Sequence, residues 1–453
     1  MKLARVMSIV LISCSAIGWI AFIVAPVDST KKKVEKHVVV AEDYIDRGLY
    51  QLAIAEYDEA ILIDPANEEL WADKLHTFDL LYKEDPRAYD DYLEHAKNAV
   101  MACPKNAEFH LTAAKLYIKD ENYKQAYKIL SKGVDAGIDD PEVNELRFET
   151  KYAFETKYGD YEIYNDWLNG CYEVFEEKDW RYLEEDGDTL NFPHLTLAGP
   201  VGEDSVRFVE YNNRYYLVNE EEIIQGFFRI DPQNVGVYSE GLIAIQSSDG
   251  KYTYYDSLGD IQFSGAKFDY AGTFYDGTAA VMKDNKWYII DKEGDQVSDE
   301  VYSDIKLNRD FTYNRNGVKA LKHSGDVFYS VYVNNKKIGE YDDVGVVTDD
   351  ELIAVCVNRN WGFIDLKGNY VIEPQYKDAR SFSFGLAAVF DGKKWGFIDK
   401  DGKLAIDYQF FDVGYFNVEG YCMVLNEYEV TDHSNEDEKK IVYYLNLISL
   451  YNF

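Results

Sequence analysis

Phe384-Gly385-Leu386-Ala387-Ala388-Val389, followed after a short polar break by Lys394-Trp395-Gly396-Phe397-Ile398-Asp399, is the stretch on which the fold turns. The two apolar runs are separated by Asp391-Gly392-Lys393 and read as a β-hairpin, because the break supplies turn chemistry and each run is too short for a helix. Two-residue alternation puts Trp395 and Phe397 on one face and Ile398 on the other. Gly396 has no side chain, so a neighbouring aromatic is expected to rest on its backbone. Asp399-Lys400-Asp401-Gly402 then turns the chain onward, with Gly402 able to take positive φ.

The same grammar recurs upstream in Leu352-Ile353-Ala354-Val355, then Asn360-Trp361-Gly362-Phe363-Ile364-Asp365 and Gly368, with Tyr370-Val371-Ile372-Glu373-Pro374-Gln375-Tyr376 leading to the next unit. Weaker copies fill the aromatic slot with Trp180, Tyr215, Tyr252, Trp287, Phe328 and Tyr443, giving up to eight units with those at Trp361 and Trp395. The units ending in Tyr215, Phe328 and Tyr443 fit least well, and Tyr288 stands where glycine is wanted. Asp256, Asp291, Asp365 and Asp399 recur at the turn. These residues resemble the WG (KWG) repeat family. A single hairpin cannot bury both faces, so the units are expected either to stack as a β-hairpin solenoid or to close into a propeller-like assembly. Structural roles fall to Trp180, Tyr252, Trp287, Trp361, Gly362, Trp395 and Gly396.

Working towards the N-terminus, the strand pattern begins near residue 156, and over 34–155 the spacing is helical. Ala41, Tyr44, Gly48, Tyr50, Ala53, Tyr57, Ala60 and Pro65 fall at the intervals of a repeat of about 34 residues, and Ala114, Tyr117, Tyr123, Ala126 and Leu130 repeat them. Between the two copies, Trp71, Phe78, Ala99 and Pro104 mark a divergent unit with an insertion around Asp85 to Ala88. Ala53 and Ala60 lie seven apart on one face and let a second helix approach closely, while Tyr44, Tyr50 and Tyr57 fill the gaps. Pro65 and Pro104 stop the second helix of a pair. The pattern resembles the tetratricopeptide family, whose concave face commonly holds a peptide. A short array that merely spaces or caps the β domain is the competing expectation.

Val6 to Val27 carries no charge and, at ~1.5 Å per residue, is long enough to span a hydrocarbon core of ~30 Å. The sequence therefore predicts an N-terminal transmembrane anchor with its flanks over 1–33. Leu11-Ile12-Ser13-Cys14 also has the look of a lipobox, but the apolar run continues past Cys14, which favours an uncleaved anchor over lipidation. Lys2 and Arg5 before the run are matched by Lys31, Lys32, Lys33 and Lys36 after it, so orientation rests on the signal-anchor layout and predicts a single-pass protein of the cell membrane with an extracytoplasmic body. The expected class is thus α+β multidomain: an anchor, helical hairpins over 34–155, and an all-β array over 156–453.

The net charge of −35, from 47 basic and 82 acidic residues, excludes nucleic acid as an expected partner. Cys14, Cys103, Cys171, Cys356 and Cys422 are far apart, with no CxxC pair, so neither a disulfide framework nor a zinc site is expected. His37, His76, His95, His110, His194, His323 and His433 are scattered with none at i, i+4, and no P-loop, GxGxxG, HExxH or GxSxG is present. No catalytic, cofactor or metal residues are therefore assigned. The expected function is that of a non-enzymatic interaction or scaffold protein with a protein or peptide partner. The alternative is a carbohydrate or cell-wall binder using a row of exposed repeat aromatics.

Overall fold

The computed structural model describes residues 16–168, 171–176, 178–184, 188–190, 195–219, 223–228, 230–348, 350–431 and 439–452. The chain divides into two compact units, a helical one ending at Lys151 and a strand-built one over Tyr152–Tyr451.

Among the described residues the helical unit has seven α-helices: α1 (Ala16–Asp46), α2 (Tyr50–Ile63), α3 (Glu68–Glu84), α4 (Tyr89–Ala102), α5 (Ala107–Lys119), α6 (Tyr123–Asp135) and α7 (Pro141–Lys151). Consecutive helices pack as hairpins. Ala41 of α1 and Ala53 and Ala60 of α2 are fully buried, so the first pair closes on methyl-sized side chains with Tyr57 filling the space beside them. Gly48 ends α1 at φ +70°, a left-handed turn that a β-carbon would strain. Tyr50 opens α2, and Pro65 lies exposed just beyond its end, where its carbonyl accepts the Trp71 indole N–H at 3.0 Å. Asn67, Asn106 and Asn122 cap α3, α5 and α6, each accepting a backbone N–H of the first turn. Tyr123 is the first residue of α6, and Ala126 is buried in the core with Leu130 and Phe109.

Among the described residues no helix is long and apolar enough to cross a membrane. In α1 the uncharged part, Ala16 to Val27, is 12 residues. Asp28 and Lys31, Lys32 and Lys33 follow within the same helix. This overturns the expected transmembrane anchor over Val6–Val27, and with it the single-pass membrane placement with an extracytoplasmic body. Residues 6–15 of that span, including Cys14, lie outside the described residues.

Among the described residues the strand unit is a closed ring of eight antiparallel units. Its first strand, Phe154–Tyr161, pairs with Lys439–Leu450, which also pairs with Tyr421–Thr431. The strand at the start of the unit thereby completes the sheet at its end. Packing runs around the circle without a gap. Val174 clusters with Met423 and Leu447, Tyr182 with Val209, Phe208 with Ile243, Trp287 with Leu321, and Val331 with Ile353. The other three junctions are edge-on aromatic contacts: Tyr254 on Phe274 at 5.1 Å, Phe363 on Phe382 at 4.8 Å and Phe397 on Phe416 at 4.9 Å. Of the two arrangements open from sequence, the described residues form the ring.

Strand register locates the repeat slots. Trp395 pairs with Phe390, Trp361 with Cys356, Trp287 with Met282, Tyr252 with Gln246, Tyr215 with Glu210 and Trp180 with Phe175, one equivalent position in six units. In the fifth unit Val318–His323 pairs with Tyr329–Val333, and the slot belongs to buried Tyr329 while Phe328 is exposed. In the eighth, the partner at the matching position, opposite Leu425, is Leu445, two residues beyond Tyr443. Both aromatics named from spacing miss the slot because a one- or two-residue slip along a strand is invisible to interval counting.

Gly396 also has a different reason from the one expected. A β-carbon there would meet the Ile406 carbonyl oxygen at 2.8 Å and the Tyr408 nitrogen at 3.0 Å, so the space is taken by the next strand's backbone, not by an aromatic ring. That strand bulges: Phe397 pairs with Ile406 and Trp395 with Phe410, two residues opposite four. Gly362 sits under an identical bulge at Ile372 to Tyr376.

Candidate functional site

A groove of about 600 Å³ opens in the helical unit, lined by Gln51, Ile54 and Asp58 of α2, Phe78 and Leu81 of α3, Asp85, Arg87 and Ala88 of the connection, and Asp91 and His95 of α4. The sequence explains why it is here. Helix α3 has 17 residues where α5, its counterpart in the third hairpin, has 13, and a 3-10 turn over Pro86–Ala88 is interposed before α4. This is the insertion visible from sequence around Asp85 to Ala88. The extra turn and the bent connection hold α3 and α4 apart, and they make the least mutual contact of the three hairpins. The gap between them is the groove.

Its floor is apolar: Ile54, Phe78 and Ala88 are buried and Leu81 is half-buried. The Phe78 ring lies 4.5 Å from the His95 ring and 5.9 Å from Tyr92 in parallel array. His95 Nδ1 is 2.6 Å from the Asp91 carbonyl oxygen, which fixes the imidazole along the wall. Burial pushes the Tyr92 phenol up to about 12, with Asp79 and Glu108 adding to the shift, so it stays neutral.

The rim is acidic and organised. Asp85 takes both Nε and Nη2 of Arg87 at 2.8 Å, and this side-chain pairing, with the Arg87 backbone N–H, holds its carboxyl below the usual range. Asp58 accepts Lys74 Nζ at 2.5 Å; Lys74 is only 2% exposed and its ammonium lies 5.8 and 5.9 Å from the Trp71 and Phe78 ring centres. Asp58 of α2 and Asp91 of α4 are exposed.

The repeat residues of the ring are packed. Tyr252, Trp287 and Trp395 are buried and Trp180 and Trp361 half-buried. Tyr252 lies 5.2 Å from Tyr270, Trp287 5.6 Å from the same ring, Trp180 5.4 Å from Phe175, and Trp395 5.3 Å from Phe390. They form no exposed row, which removes the motive for the carbohydrate reading. Several acidic loops clasp neighbouring units: Glu203 accepts the Glu240 backbone N–H at 2.7 Å, Glu240 that of Gly277 at 3.2 Å, and Asp350 that of Gly385 at 2.8 Å. No group of metal-binding side chains occurs among the described residues. Cys103, Cys171, Cys356 and Cys422 are buried thiols.

The helical repeat residues Gly48, Tyr50, Ala53, Ala60, Pro65, Tyr123 and Ala126 build the hairpins and none lines the groove. Of the lining residues, sequence reading singled out Phe78 and the insertion but passed over Asp58, Leu81, Asp91 and His95. Their only signal is that acidic residues flank the apolar stripe on three successive elements.

A family model described as "WG containing repeat" matches residues 252–287, 361–395 and 395–428. Each match starts on an aromatic slot. Among solved structures, BamB from Moraxella catarrhalis is similar at 8% identity, covering 66% of this chain and 100% of that one with a TM-score of 0.40. The type III secretion chaperone SycD of Yersinia enterocolitica, in complex with a peptide of the translocator YopD, is similar at 15% identity over 26% of this chain and 87% of that one, TM-score 0.21. The TPR2B domain of yeast Sti1, in a complex with pHsp70, is similar at 16% identity over 26% and 96%, TM-score 0.21. No curated protein matches the chain. The strand unit thus carries WG repeats over the matched residues, and the helical unit is built of antiparallel helix hairpins.

Proposed function

We propose that this chain is a non-enzymatic interaction scaffold whose second helical hairpin receives a peptide segment of a protein partner. The observation that carries the reading is the groove between α2, α3 and α4, an apolar floor of Ile54, Phe78, Leu81 and Ala88 inside a polar rim. Its volume of about 600 Å³ falls within the range of sites that enclose a compact ligand or one to two anchoring side chains. An apolar trough along helices is the surface into which extended or helical peptides lay their anchors. The ring suits a rigid supporting role, since its repeat aromatics are packed within and between units and several of its loop carboxylates are held in clasps.

The test is selection of peptides from an unbiased display library on the purified full-length chain, followed by competition with Leu81→Arg. Leu81 is half-buried on the groove wall. Peptides that lose binding to the Leu81→Arg protein, with its thermal melt unchanged, support the reading. Selected peptides that bind both forms alike remove it.

A further inference from the structure

We infer that the segment accepted by this groove is basic, carrying lysine or arginine beside a large apolar anchor. The inference rests on the groove being a peptide site and adds the chemistry of its occupant.

Three carboxylates, Asp58, Asp85 and Asp91, face the groove from three different elements, against one guanidinium, that of Arg87. That guanidinium is already committed edge-on to Asp85 through two hydrogen bonds at 2.8 Å. The other nearby cation, Lys74, sits beneath Asp58 and is 2% exposed, so it neutralises from inside and presents no charge to a ligand. Arg87 is itself 90% exposed and offsets Asp85, and Lys74 offsets Asp58 from beneath, so the lining carboxylate with no ion pair among the described residues is that of Asp91, beside a hydrocarbon floor.

The geometry separates the two contributions. Phe78 and Leu81 accept an apolar anchor, while Asp91 on α4 calls for a cation beside it and Asp58 on α2, already paired to Lys74, adds acceptor oxygen. An acidic segment would place its carboxylates against Asp91 and beside two carboxylates that are already paired, a like-charge arrangement that disfavours binding. The whole molecule reinforces the selection: its charge of −35 draws cationic segments towards the surface before the groove sorts them.

The experiment uses the full-length chain and two short fluorescent probes, one of lysine and leucine and one in which every lysine is glutamate, read by anisotropy. The lysine probe is expected to bind, to weaken as salt is raised, and to lose about three- to tenfold in affinity with Asp91→Asn. It is expected to lose binding to Leu81→Arg altogether. Equal binding of the two probes, or preference for the glutamate probe, overturns the inference. So does lysine-probe binding that ignores both substitutions, because it then reports the general anionic surface. If the glutamate probe binds and Leu81→Arg abolishes it, the groove is a peptide site and only the basic character is wrong. If library-selected peptides also ignore Leu81→Arg, the site itself falls.

Discussion

Phe154 stands opposite Leu450 in an antiparallel pair, so the first strand of the ring is hydrogen-bonded to its last. The Phe154 ring also lies 6.0 Å from Phe410 of the seventh unit, which ties the entering chain to two successive units. A chain beginning at Tyr152 retains this strand, and one beginning at Glu162 lacks it and leaves the edge of Lys439–Leu450 open. The shorter chain is expected to melt several degrees lower and to elute partly as oligomers, since an exposed strand edge is a template for pairing. Equal melting and elution of the two chains would show that closure contributes nothing.

The glycine beside the repeat tryptophan yields a sharper case. Gly396→Val forces a side chain into the backbone of Ile406 and Tyr408, with contacts that begin below 3.0 Å at the β-carbon. The bulge cannot recede without breaking the pairs at Phe397 and Trp395. A loss of roughly 2–4 kcal/mol is expected in denaturant unfolding. Val at Gly241, where a β-carbon meets nothing within 4 Å but φ is +85°, separates backbone strain from collision.

The ring's repeat was legible because Trp-Gly-Phe-Ile-Asp combines a strand period with turn residues, two independent signals in one stretch. Its closure was not, because the pairing of Phe154 with Leu450 joins residues at opposite ends of the region and no local pattern encodes it. The glycine position was visible but its cause was not: the bulge that fills the space lies on the following strand, Leu404–Phe410. In the helical unit, small residues at Ala53 and Ala60 announce close helix contact. The groove depends instead on a departure from the repeat, the longer α3 and the turn at Pro86, which periodicity can flag but not shape. No membrane span stands among the described residues, because the helix that holds the end of the uncharged run also carries Asp28 and Lys31 to Lys33.

Glu173 predicts a pH dependence. It is 3% exposed in the first unit, and burial pushes its carboxyl up to about 7, only partly offset by the Asn165 amide at 2.7 Å and the charge of Arg207. Arg207 is itself fully buried, its guanidinium 4.6 Å from the Tyr182 ring centre at the junction of the first and second units. The neutral form is the one the fold favours. Its contribution is complete below the unfolded value near 4.5 and is lost as pH rises through about 7. The loss is on the order of 3 kcal/mol. Glu173→Gln keeps the hydrogen-bonding shape without the titration, so its advantage over the parent should grow from pH 5 to pH 8. Parallel melting curves across that range would refute this. At low pH other groups act in the opposite sense, notably Asp249, held down to about 2 by Lys267, so the difference between the two proteins is the quantity to read.

Lys74 links stability to recognition in the groove. Its ammonium is almost wholly enclosed, paired to Asp58 and set beside the rings of Trp71 and Phe78. Lys74→Met keeps the length and volume of the stem and removes a buried charge, and such exchanges are close to neutral or stabilising when the partner can be solvated. Asp58 can be, because its side chain is 51% exposed. The melt should therefore move little. Recognition should change, since Asp58 loses the cation beneath it and turns its full charge to the groove. A lysine-rich probe is expected to bind a few-fold more tightly to the Lys74→Met protein than to the parent, with the gain shrinking at high salt. If affinity falls while the melt is unchanged, Lys74 holds the ligand and not the wall, and the occupant of the groove is acidic.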